Sequence, residues 1–143
     1  ISHLKSLLPK HGFQAKQLFK TQACGAQIHQ PFLVGKHLYA NSNGNKRRDG
    51  FACIDLDGKL VWRTQRDPNF EKGGLLLAGG LVYAVNGTNG TLIAFKPTPE
   101  GFTKLGEAKF LGGKTAWAPM AFSGGKLYIR DQQKLVCLDI RAR

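Results

Sequence analysis

The chain has 143 residues, with 21 Lys and Arg against 9 Asp and Glu, for a formal charge of +12. At 42% hydrophobic it is no disordered basic tail, and its length suits a modest core. Its longest nearly unbroken apolar run, Leu75 to Val85, spans 11 residues and contains Gly79-Gly80. That is short of the roughly 20 apolar residues a membrane helix needs. No basic-then-apolar signal segment opens the chain, and its start at Ile1 rather than Met reads as a processed product or a piece of something longer.

In chain order, Ile1, Leu4, Leu7 and Leu8 ahead of Pro9 have helical spacing for at most two turns. Residues 13–21, with Phe13, Leu18 and Phe19, read as a lone outer strand. Residues 31–64 read as a four-stranded unit. It opens with the hairpin Leu33-Val34-Gly35-Lys36-His37-Leu38-Tyr39, then takes a polar turn from Asn41 to Gly50. A third strand follows at 51–55 and a fourth at 59–64. A second unit, 74–110, repeats this with Leu77-Ala78-Gly79-Gly80-Leu81-Val82-Tyr83, a turn from Asn86 to Gly90, and strands at 91–96 and about 102–110. A third, 118–143, has Phe122-Ser123-Gly124-Gly125-Lys126-Leu127-Tyr128, a turn from Arg130 to Lys134, and a strand at 134–139, but no fourth strand.

In each hairpin a glycine stands four residues before a tyrosine, and the tyrosines are 44 and 45 residues apart. Glycine reaches the positive φ of a tight β-turn, and the flanking apolar residues alternate. Antiparallel four-stranded units at this period are the signature of β-propeller blades. Three do not close a ring, because propellers use roughly four to eight. The expected fold is therefore all-β, a propeller arc of about three blades within one segment, 1–143. An arc of this kind exposes unpaired edges at its two ends, which favours dimerisation, aggregation or marginal stability.

Residues 52–62, Ala-Cys-Ile-Asp-Leu-Asp-Gly-Lys-Leu-Val-Trp, resemble the blade motif of the PQQ-binding-like (pyrroloquinoline quinone, quinoprotein-like) repeat family. Its structural positions here are Asp55, Gly58 and Trp62. The third unit repeats its first half as Val136-Cys137-Leu138-Asp139. The second unit lacks the Asp and the tight turn. Ending just after a third strand resembles the C-terminal end of such proteins, whose other end supplies the closing strand.

The resemblance implies a parent working in the periplasm, at the cell surface or in secretion. Family dehydrogenases bind PQQ and calcium, and carry adjacent cysteines and acidic ligands. Cofactor-free members, such as the barrel-assembly lipoprotein of bacterial outer membranes, serve as scaffolds. No two cysteines are adjacent here and the first carboxylate is Asp49, so the expected reading is cofactor-free binding or scaffolding without a catalytic residue. The alternative is one wall of a PQQ pocket in an oxidoreductase.

A second alternative is a polyanion-binding surface. Residues 1–48 carry eight basic side chains and no carboxylate. No RRM, finger or helix-turn-helix pattern accompanies them, so nucleic acid is not expected. Cys53 and Cys137 lie in apolar strands and read as small buried hydrophobes. Without a C-x-x-C pair, structural zinc lacks its usual signal. Residues 108–115 mimic a loosened P-loop but run into Pro119, which fits a strand start. Asn86 and Asn89 open formal glycosylation sequons, though Asn-Gly is first a turn signal.

The loops beside the first strands form the ligand face of a propeller. On it His29, Gln30, Asn41, Asn43, Trp117 and Arg130 supply an aromatic plate, a cation and amide donors for a protein or carbohydrate ligand. The competing reading makes Trp117 packing between blades and His29 a satisfied structural histidine. Arg130 beside Asp131 reads equally as a local surface ion pair.

Overall fold

The computed structural model describes residues 15–42, 50–112 and 115–141. The helical spacing at residues 1–8 and the candidate Asn43 lie outside these. The described residues form three antiparallel sheets of four, four and three strands, without a helix. The first contains β1 (Phe32–Val34), β2 (His37–Ser42), β3 (Gly50–Asp55) and β4 (Leu60–Arg63). The second contains β5 (Leu75–Ala78), β6 (Leu81–Val85), β7 (Thr91–Phe95) and β8 (Lys104–Lys109), and the third β9 (Ala121–Ser123), β10 (Lys126–Arg130) and β11 (Leu135–Asp139). Each sheet is a simple meander, every strand pairing with its neighbour in sequence.

Turn chemistry sets the register. Gly79 and Gly80 adopt φ of 58° and 77°, and Gly124 and Gly125 adopt 57° and 76°. These two turns have both central residues left-handed, which glycine adopts without strain. In the first hairpin only Gly35, at φ 59°, is left-handed, and either turn matches the twist of its strands. The resulting registers place Leu76 opposite Tyr83 and Tyr128 opposite Ala121.

Side-chain alternation then decides which sheet packs on which. In the second sheet Val82, Ala84, Ile93 and Phe95 face one way, into a core shared with Tyr39, Phe51 and Cys53 of the first sheet. Leu76, Tyr83, Val85 and Leu92 face the other way, into a core shared with Leu127, Ile129, Val136 and Leu138 of the third. β6 and β7 of the middle sheet are covered on both faces, which explains the near-continuous apolar run that ends in β6, while β8 is exposed along its length. Seven aromatic rings knit the first interface: Phe51 meets Phe95 edge-on at 4.7 Å, and Phe95 meets Phe102 at 4.8 Å. Trp62 packs beside this core and its indole N–H donates to the Thr98 carbonyl of the second sheet at 3.0 Å.

Three expectations are corrected. Residues 15–21 form no strand. With no ladder offered to it, this segment and the residues after it, to Gly25, instead make side-chain and loop contacts on the first sheet. The Phe19 ring lies against Gly58, Arg63 donates to the Ala23 carbonyl, and the Gly25 N–H donates to Ser42 Oγ at 3.3 Å. The fourth strand of the second sheet is shorter than 102–110, because Phe102 turns into the aromatic core. Cys137 is exposed rather than buried, since among the described residues no further sheet covers the face of β11 that carries it.

Candidate functional site

The turn from β6 to β7 lies against the connectors that run into β5 and into β9. The turn at residues 86–90 is tied to both connectors. Gly87 N–H donates to the Phe70 carbonyl at 3.1 Å, and the Gly87 carbonyl accepts from Ala116 N–H at 3.1 Å. An added Cβ on Gly87 would lie 2.7 Å from Gly73 N and 2.9 Å from the Trp117 ring, so only glycine permits this approach. Asn86 Oδ1 accepts from Thr88 and Asn89 N–H groups while its Nδ2 donates to the Asn69 carbonyl at 2.6 Å. The Asn86 sequon is thus a turn cap with its amide nitrogen committed. Asp131, three residues after Tyr128 as Asn86 is after Tyr83, caps the next turn through Gln133 and Lys134 N–H groups.

The connector between the first two sheets is the organiser. Two non-glycine residues in the left-handed region lie along it, Gln65 at φ 59° and Glu71 at φ 50°. Asn41, at the end of β2, is 1% exposed, and its Nδ2 donates to the Glu71 carbonyl at 2.6 Å. Its Oδ1 is buried without a hydrogen-bond partner among the described residues. His29 Nε2 lies 3.3 Å from the Lys72 carbonyl. A carbonyl needs a donor, so a hydrogen is assigned to Nε2. Lys72 Nζ stands 4.7 Å above the Trp117 ring, a cation–π contact.

Glu71 and Lys72 therefore gather His29, Asn41 and Trp117, three of the six ligand-face candidates. Gln30 joins His29 along an open groove of about 440 Å³ whose apolar lining includes Ile28, Pro31, Leu75 and Pro119. Arg130 is exposed at the end of β10, and Asn43 is outside the described residues. The motif residues sit at strand ends and between sheets. Asp55 Oδ1 accepts from Asp57 and Lys59 N–H groups, Gly58 takes φ 83° in that turn, and Asp139 caps Arg141. None of these lies on the groove.

Asn69, Glu71 and Lys72 escaped sequence reasoning. The stretch Gln65 to Gly74 has no periodicity, and only the Gly73-Gly74 pair hints at a close approach. Among the described residues, no three His, Cys, Asp or Glu side chains gather to hold a metal ion. Nor is any helix there long and apolar enough to cross a membrane. The groove is chemically an amide- and imidazole-edged apolar trough.

Compared with known proteins, the chain matches no family model and no curated protein sequence.

Proposed function

We propose that the three sheets are consecutive blades of a β-propeller built from PQQ-binding-like repeats, acting in binding or scaffolding without catalysis of their own. The observation that carries this reading is the repeated direction of packing. Tyr39, Tyr83 and Tyr128 hold corresponding places in their sheets; the Tyr39 face packs on the second sheet and the Tyr83 face on the third. A stack that always presents the same face forward either closes on itself or leaves one face bare. The Tyr128 face is the bare one, and further blades of a larger parent would cover it. The resemblance supports an extracytoplasmic parent, and the His29–Gln30 groove is its ligand face for a protein or carbohydrate.

The test is to extend the chain. A copy of residues 59–110 fused after Arg143 supplies a fourth strand, a connector and a following sheet. The Cys137 thiol should then become protected from maleimide. Unchanged labelling of Cys137 in a folded fusion would overturn the reading. Titration with PQQ and calcium separates the oxidoreductase alternative: dye reduction with an alcohol or sugar would replace the scaffold reading.

A further inference from the structure

A second groove lies between the connector that follows β4 and the second sheet, away from the His29 trough. Two cavities of about 540 and 340 Å³ share Asp67, Pro68, Ile93 and Glu107 and so run together. One wall is the connector from Arg66 to Glu71; the other is formed by β7 and β8. Pro68, Ile93 and Phe102 make an apolar strip along it. Three of the chain's 9 carboxylates, Asp67, Glu71 and Glu107, line the groove against two cations, Arg66 and Lys104. In a chain of net charge +12, the local balance is reversed.

The carboxylates differ in availability. Glu71 is engaged within the connector, where its Oε1 accepts from Asn69 at 3.2 Å. Glu107 pairs with Lys104 at 2.9 Å, but both side chains are about half exposed, so the pair is weak and displaceable. Asp67 has no salt-bridge partner among the described residues. Asp67 and Glu107 both border the smaller cavity, with Phe102 and Ile93 beside them.

We propose that this groove receives an arginine side chain from an extended basic segment of a partner protein. An apolar strip flanked by carboxylates matches the two halves of that side chain. The aliphatic stem lies on Pro68 and Ile93, while the guanidinium meets the Asp67 and Glu107 carboxylates near the Phe102 ring. A neutral saccharide would use the Thr88 hydroxyl and the Asn89 amide and gain nothing from the charge. This site is independent of the propeller reading and of the His29 groove.

The probe is the peptide acetyl-Gly-Arg-Gly-amide, followed by NMR at the Ile93 methyls and the amides of residues 66–69. Binding should be weak, on the order of millimolar, as for a single side chain. The citrulline peptide, of the same shape without charge, should bind at least about tenfold more weakly. Asp67→Asn and Glu107→Gln should each weaken the arginine peptide about threefold or more, and Lys104→Ala, which removes the internal competitor, should tighten it. Glu107→Gln lies on the exposed strand β8 and keeps the test decisive if Asp67→Asn misfolds. Equal binding of the arginine and citrulline peptides overturns the proposal. So does a folded double variant that binds unchanged, or a response to a neutral trisaccharide with none to the arginine peptide.

Discussion

Tyr39 and Cys53 face each other across β2 and β3, and burial pushes both acids upward, the Tyr39 hydroxyl further raised by its contact with the Cys53 sulfur. A buried thiol held protonated is a poor nucleophile. Cys24 is half-buried; burial raises its thiol too, with the Arg63 charge opposing. Cys137 is exposed. Timed maleimide labelling with mass spectrometry should modify Cys137 first, Cys24 more slowly, and Cys53 only on unfolding. Early labelling of Cys53 would show that the interface between the first two sheets opens in the native state. At Asp139, the Arg141 guanidinium and backbone N–H hold the carboxyl down to about 2, from an ordinary 3.8. A lowered carboxylate contributes stability above its unfolded value and loses it as pH falls through the folded one, so this contact fades between about pH 4 and pH 2. Both side chains are exposed and the pair's contribution is small. Carboxyl-carbon NMR should find the Asp139 midpoint near about 2, returning toward the ordinary value in Arg141→Ala.

Strands and hairpins were legible because their causes are local. Glycine four residues before tyrosine, with alternating apolar neighbours, is sufficient to set a two-residue turn and its register. The connectors were opaque because their causes are distant. Gly73 is an instance: its added Cβ would stand 1.6 Å from the Val85 carbonyl, a residue twelve positions away. Gly73→Ala should therefore dislodge the connector that holds His29 and Asn41, lowering the melting temperature and exposing the Lys72–Trp117 contact as a change in Trp fluorescence. Phe95, fully buried among Phe51, Phe70 and Phe102, is the reference for core loss. Phe95→Ala should cost about 3–5 kcal/mol in urea unfolding. A loss below about 1 kcal/mol would mean that the two sheets do not share one core.

Across the whole molecule, the two end sheets are unlike. The back of the first is partly covered: Ala40 and Ala52 are 1% and 0% exposed, and residues 19–25 make contacts on that side. Leu33 and Leu60 at its margins remain exposed. The forward face of the third carries Ala121, Tyr128, Leu135 and Cys137, and Leu135 is 66% exposed. Beyond β11 no fourth strand pairs among the described residues, which leaves one ladder edge open. Association of the isolated chain should run through this end. Tyr128→Lys with Leu135→Lys should shift sedimentation toward monomer, whereas charges on β8 should leave it unchanged.

The sequence alone determined the three repeated units, their turns and most strand positions, and it singled out His29, Asn41 and Trp117 by place in the repeat. Only the tertiary structure decided that one connector dipeptide, Glu71-Lys72, joins those three, that residues 15–21 form no strand, and that Cys137 is exposed. The division has one physical reason. A hairpin is specified by the few residues within it, whereas burial of a face depends on what another sheet, some 40 residues away, brings against it.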